Sequence, residues 1–556
     1  MTLDASPSYS AAERFLQTVV VVDDNAYTSP DTVPGLVASL GDESIDEVEA
    51  SASQEPENPD SESFETELIV EGFADLGMNC AVLAPREGEE AQDAGRLLKL
   101  ATRADVVILD WVIRSWEDAS ATHGARDRTT LGLLLEVLRH DASTGSRARL
   151  VCIYTGKGDA AAVIDEVEAA LASEFKNVRV HDDRTRIDVN GVRIVLLRKH
   201  RDVPIPGSET VIAADLPSRV VQEFGRFAAD GLLPEIALES LSAVRDQAHK
   251  LLRRFSGNLD PALISHRSTT TPAVAEQLVL SLIGDELGAI VAAADTVSAL
   301  RDDRVESYVR TRLGDRSDIP YWKTRATTST QKLTNADAFD VLTQRSGRTL
   351  DSKISRSSLL LDGEHATVRS QAYDIDLRFS ALSSLSRDRN FDGEHSPVPE
   401  LRLGALLCAP GTPSDDAKEG DDLPTDYWVC MQPLCDSVRL TQPAQFPLLP
   451  LRRSKSEDKF DFVVMDHDAY ITVEAVGLKL SEMALRTFEP DPQLQMVVAS
   501  WEEGFWLFKD QKEREYRWLG DLRIDKAHKV LHSVVTTAGR IGIDEYEYYR
   551  HASERR

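Results

Sequence analysis

Along the first 230 residues, short and mostly apolar runs alternate with longer stretches in which apolar residues recur every three to four positions. The runs cover 18–22, 79–84, 105–110, 150–156 and 192–199, with the length and character of strands covered on both faces. Helical periodicity fills the gaps at 67–76, 88–103, 130–140, 160–174 and 217–229, with Leu97, Leu98 and Leu100 on the inner side of the second. The last of these helices is well marked. Pro217 sits in its first turn, Val220, Val221, Phe224 and Phe227 recur along one side, and Gly231 stops it. Alternating units of this size predict an α/β fold, a parallel sheet with helices on both faces.

Two segments break the alternation. Residues 27–63 are rich in Ser, Pro, Asp and Glu and read as a long acidic insert after the first strand, and 112–129 read as a second insert after the third. Both would lie over the carboxyl ends of the strands, as lids or as tolerated surface loops. The first domain is therefore 1–230. Residues 231–315 read as a helical domain. In its first helix Leu233, Ala237, Leu241, Val244, Ala248, Leu252 and Phe255 share one face. Thr271-Pro272 caps a second helix that is apolar almost all round and should be well buried. Residues 316–400 form a mixed linker with short helices near 336–343 and 375–384. From 401 the pattern turns to β, with strands at 401–408, 427–432, 460–465, 469–473 and 495–500. A helical stretch over 515–551 closes a β-rich α+β domain of 401–556.

Composition narrows the class. The chain of 556 residues is 42% hydrophobic and 28% charged, which fits several globular cores. A formal net charge of −30 argues against broad nucleic-acid binding, which needs Lys and Arg to neutralise phosphates. Five scattered cysteines do not make a disulfide framework and fit a reduced compartment. No apolar stretch has the length of a membrane span, and the N-terminus lacks a basic-then-apolar leader. The expectation is a cytoplasmic protein.

The chemistry gathers at the strand ends. The first strand ends in Asp23-Asp24, the third in Asp110, the fourth in Thr155-Gly156 and the fifth in Lys199. Ligands of open parallel sheets sit off these ends, so the residues can share one pocket. Asp23, Asp24 and Asp110 supply the hard oxygen donors that suit Mg²⁺. Asp110 is the candidate nucleophile toward a phosphoryl group, and the Lys199 ammonium would neutralise charge on the phosphoryl oxygens. The Thr155 hydroxyl would bond one of them and carry the change outward. Singly, a strand-terminal Asp is often a helix cap, and Lys157 or Arg198 could compete with Lys199. The ordered set is more specific than its parts.

With this set, residues 17–230 resemble the receiver domain of two-component response regulators. The resemblance implies a five-stranded parallel, doubly wound sheet, with Asp23 and Asp24 as the acidic pair, Asp110 as phospho-acceptor, Thr155 as switch hydroxyl and Lys199 as pocket lysine. It also implies Mg²⁺ as cofactor and a histidine-kinase-type ATPase as phosphoryl donor. Trp111 and the long insert depart from the Met and Pro usually found after the acceptor, and no Pro follows Lys199. Large bacterial receivers of this stretched kind occur beside such ATPases, some in stress or phage-defence systems, an analogy only.

Other groupings carry less. Arg245 and His249 lie a helical turn apart with His266-Arg267 beyond, and read as flank residues before a phospho-accepting His. Cys408, Cys430, Cys435, Asp436 and His467 lack zinc-site spacing. The aromatic, charged segment 540–550 could dock a partner or pack as a terminal helix. No Walker loop, dinucleotide fingerprint or nucleophile elbow is present, so no independent catalytic motif is assigned. The expected function is response-regulator-like signalling from Asp110 to a C-terminal output or protein-binding module. The alternatives are a silent receiver-shaped scaffold, or a defence effector such as a nuclease with its activity in 400–556.

Overall fold

Strand β1 (Thr18–Val22) is buried from Val19 onward, and its side chains divide between two apolar clusters by strict alternation. Val19 and Val21 join the cluster that holds Ile69, Phe73 and Phe224, while Val20 and Val22 join the one that holds Leu97, Leu134 and Val167. The period of two along a strand puts successive residues on opposite faces, so helices cover the sheet on both sides. The computed structural model describes residues 7–23, 26, 66–85, 90–111, 113, 130–144, 148–156, 160–200, 210–270, 272–294, 296–321, 331–344, 356–363, 365–388, 397–410, 425–454, 460–466, 469–475 and 483–538. The chain divides into two units, 1–252 with 286–301 and 253–285 with 302–556.

In the first unit β2 (Asn79–Leu83), β1, β3 (Val106–Leu109), β4 (Arg149–Thr155) and β7 (Val192–Arg198) run parallel in that order. The expected helices lie at Thr66–Asp75, Glu90–Ala101, Thr130–Ser143, Ala160–Glu174 and Leu216–Ala228. Leu100 is a correction: it faces outward, while Leu97 is buried and Leu98 half-buried. The strand count is another. The sheet has seven strands, because β6 (Arg186–Val189) adds antiparallel to β7 and β5 (Arg179–Val180) antiparallel to β6. The signal was present as Asn190-Gly191, both at positive φ, which turn the chain in two residues between Val189 and Val192. An N-terminal helix, Pro7–Phe15, was also unexpected. It lies against Leu216–Ala228, where Phe15 stacks on Phe224 at 5.6 Å and a Cβ on Gly225 would meet the Ser8 carbonyl at 2.7 Å.

The helix Leu232–Arg254 does not bury the apolar face that its spacing marks. Glu235, Leu238, Glu239, Ser242 and Ala243 are buried, whereas Leu233, Leu241 and Leu252 are exposed. The helix Pro272–Ala293 is not well buried either, with Leu278, Leu280 and Leu282 exposed. Apolar periodicity identifies a face but not whether anything covers it.

The second unit pairs β8 (Ile319–Tyr321) antiparallel with β9 (Gln331–Leu333) and is built on a larger antiparallel sheet. Its main path is β14 (Phe462–Asp466), β15 (Ala469–Ala475), β13 (Ala444–Arg453), β12 (Thr425–Cys430), β11 (Ala405–Pro410), β19 (Glu515–Leu522), β18 (Phe505–Lys509) and β17 (Ser500–Glu502). β10 (Leu385–Asp388) pairs with β19, and β16 (Ala484–Phe488) with β13. The helical reading of 515–551 fails at its start, since β19 is an inner strand and the helix spans Ile524–Ala538. Trp518 faces one apolar cluster while Leu519 and Leu522 face the other, and Gly520, at φ +152, lets the Arg387 carbonyl approach to within 2.6 Å of where a Cβ would stand. Cys408 and Cys430 fall in opposite clusters and Cys435 is exposed. The segment 540–550, His467, the 27–63 insert and, apart from Ile113, the 112–129 insert lie outside the described residues.

Candidate functional site: a lysine between two carboxylates

Parallel register sets the ends of the strands level. Val22 of β1 lies beside Leu109 of β3, which lies beside Ile153 of β4, and the next residues of β1 and β3 are Asp23 and Asp110. Backbone hydrogen bonds fix both, from Asp23 N to Leu83 O at 3.1 Å and from Asp110 N to Val22 O at 2.9 Å. Thr155 is the last residue of β4, and its carbonyl accepts from Lys199 N at 3.0 Å. Val211 pairs with Lys199 on the other side of the backbone.

The Lys199 side chain reaches across β4. Its Nζ donates to Asp23 Oδ2 at 2.6 Å and to Asp110 Oδ2 at 2.8 Å. The aromatic ring of Tyr154 lies 5.6 Å from the same Nζ, and the Tyr154 hydroxyl is tied to Val211 O at 3.0 Å. Asp23, Asp110, Thr155 and Lys199 are only 1%, 3%, 1% and 7% exposed. Burial by itself pulls the lysine's proton affinity down. The charges of Asp110 and Asp23, with their hydrogen bonds, outweigh it and raise the ammonium above its ordinary range. Lys199 is thus a fixed cation.

Of the sequence-predicted residues, Asp23, Asp110 and Lys199 are in direct contact, and Thr155 adjoins Lys199 through the backbone. Asp24 and Lys157 lie outside the described residues. Two carboxylate oxygens converging on one Nζ present the hard donor pair that a small divalent cation uses, so they fit Mg²⁺. Among the described residues no group of three or more potential metal ligands occurs.

Sequence reasoning missed two supports. Thr130, first in its helix and buried, donates its hydroxyl to the Asp110 carbonyl at 2.9 Å. A Thr directly before the leucine run was the available signal. At the other end of β3, buried Asp105 binds Arg245 through both oxygens, at 2.8 and 3.2 Å. Arg245 also donates to Phe15 O at 2.7 Å and lies 4.1 Å over the Phe15 ring. That Arg245 and Asp105 meet had no local signal. His249, its neighbour on the helix, is exposed.

Residues 15–204 match the family described as the response receiver domain. This stretch is a receiver domain. The match spans the parallel strands of the sheet and all four residues of the lysine-centred cluster, and a receiver domain points to response-regulator-like signalling with a kinase-type phosphoryl donor in general. No curated protein and no solved structure matches the chain. No helix among the described residues is long and apolar enough to cross a membrane.

Proposed function

We propose that the receiver accepts a phosphoryl group on Asp110 and signals through residues 401–556 as an output or protein-binding module. The observation that carries this is the single Nζ of Lys199 held by both Asp23 and Asp110. A carboxylate oxygen of Asp110 attacks phosphorus, a new P–O bond forms, and the bond to the donor breaks with its electron pair leaving on the donor. Asp23 and Asp110, with Asp24, would hold Mg²⁺, which supplies charge neutralisation for the phosphoryl oxygens when bound. Lys199, a fixed cation, then turns from the carboxylates toward the new phosphate, and the Thr155 hydroxyl accompanies it. The donor of this reading is a histidine-kinase-type ATPase, and the setting is cytoplasmic stress or defence signalling.

Incubation with acetyl phosphate and Mg²⁺ is expected to give a base- and hydroxylamine-labile phosphoprotein that Asp110→Asn does not form. Equal labelling of the variant removes Asp110 as acceptor.

A second reading, a receiver-shaped scaffold without phosphoryl chemistry, is favoured by the near-complete burial of the Asp110–Lys199 pair. Trp111 adjoins Asp110, so a Mg²⁺ titration followed by tryptophan fluorescence separates the two. Saturable change supports the phospho-acceptor, and a flat titration supports the scaffold.

A further inference from the structure

The helix Leu232–Arg254 has two unlike faces. Glu235, Leu238, Glu239, Ser242 and Ala243 are buried, and on the same chain segment Arg245 holds Asp105 while Glu239 pairs with Arg14. On the opposite side Leu233, Ala237, Leu241, Val244, Ala248 and Leu252 follow one another at helical spacing. Leu233, Leu241 and Leu252 are 57%, 54% and 75% exposed, Ala237 and Ala248 are exposed, and Val244 is half-buried. The stripe extends about 28 Å along the helix. An apolar ridge of this length in water is costly unless something covers it.

We propose that the stripe is covered by the same stripe of a second copy of this chain, the two helices running antiparallel about a two-fold axis. The order of side chains is a palindrome about the point between Ser242 and Ala243. Leu233 stands as far before that point as Leu252 stands after it, and Ala237 is matched to Ala248 and Leu241 to Val244 in the same way. A two-fold axis through it sets each residue against its mirror position, as an isologous interface requires. Large side chains then meet at the ends and at the centre, and alanines meet in the layers between, where they allow close approach of the helix axes.

Charge at the stripe permits this occupant. Two copies of a chain with net charge −30 repel, so a contact between them is least opposed where acidic groups are absent. This helix carries Glu235, Glu239 and Asp246 against Arg245, Lys250, Arg253 and Arg254. By helical spacing its three carboxylates fall on the side away from the stripe, and Ser240, Gln247, Leu251 and Arg245 flank it. No acid stands in the contact.

The full chain is tested by sedimentation equilibrium through the micromolar range, beside Leu241→Glu. The proposal expects a dimer for the wild type and a monomer for the variant, with unchanged circular dichroism for both. A monomeric wild type, or a variant that folds and stays dimeric, overturns it. Register is read separately with a short bismaleimide in a Cys435→Ser background. Leu233→Cys and Leu252→Cys should cross-link when the two variant proteins are mixed and not when each is alone. Cross-linking within each single variant signifies a parallel pair and overturns the two-fold arrangement. Ala237→Ser keeps a small residue in the stripe and should leave the dimer intact, and its loss there overturns the packing argument.

Discussion

Asp105 and Asp110 bracket one four-residue strand, and each is held by a cation from a distant part of the chain. Arg245 grips the first at the amino end of β3, and Lys199 grips the second at the carboxyl end. The strand that carries the candidate phospho-acceptor is therefore tied at one end to the Leu232–Arg254 helix and at the other to the end of β7. Both acids are buried, so loss of either cation removes the charge that offsets much of the carboxylate's desolvation cost.

Replacing Lys199 by Met removes the charge between Asp23 and Asp110 and leaves two carboxylates facing each other. The expected loss is about 3–5 kcal/mol in urea unfolding of the receiver. Millimolar Mg²⁺ should recover part of it in the variant, because the same oxygens can turn to the metal. No recovery would separate the carboxylate pair from metal binding.

Arg245→Ala should lower stability by about 2–3 kcal/mol near neutral pH, less than for a fully buried pair because the guanidinium is partly exposed. Burial raises the Asp105 carboxyl, but hydrogen bonding and charge from Arg245, with donors on Gln17 and Thr18, bring it below its ordinary value. A lowered folded value contributes stability that is present above the unfolded pKa and is lost as pH falls through the folded one. The wild type should thus weaken on acidification below about pH 4, and that slope should shrink in the variant. Unfolding curves taken at successive pH values read both effects.

Asp521 has the opposite sign. Burial raises its carboxyl, against the lowering influence of Arg402, the Trp518 indole and Arg387 and with Glu400 adding to the rise, and its Oδ2 has no hydrogen-bond partner. A raised folded value contributes stability that is full below the unfolded pKa and is lost as pH rises through the folded one. Asp521→Asn keeps an oxygen for the Trp518 indole, which donates at 3.1 Å. The variant should match or exceed the wild type at neutral pH and lose the decline that the wild type shows above about pH 4. A steeper decline in the variant, seen by denaturant unfolding, contradicts this.

Arg149 is fully buried at the start of β4. Its guanidinium pairs with both oxygens of Asp141 at 2.7 and 2.9 Å and donates to the carbonyls of Ala101, Ala104 and Thr102. A lysine offers three donors from a point and cannot reproduce this fork. Arg149→Lys should cost about 3 kcal/mol or more, measured as a shift in the receiver's urea midpoint with unchanged m-value.

The parallel sheet and the residues at its strand ends were legible because both are local. A run of buried apolar residues fixes a strand, and the residue that ends it is fixed with it, so Asp23, Asp110, Thr155 and Lys199 could be named from order alone. The hairpin of β6 and β7 was legible too, in Asn190-Gly191, but β6 is only four residues long and β5 only two, too short to stand out along the chain. β19 was misread because Trp518, Leu519 and Leu522 suit a helix as well as a strand, and only its neighbours β11 and β18 decide between them.

By itself the sequence determined which residues stand at the strand ends and which face of each helix is apolar, since those follow from spacing along one chain. Only the tertiary structure decided that Arg245 closes on Asp105, that Lys199 divides its protons between two acids, and that the stripe from Leu233 to Leu252 is left uncovered. Those are relations between segments 89 to 176 residues apart, or between a surface and what lies beyond it, and they depend on how packed elements meet rather than on what each element prefers.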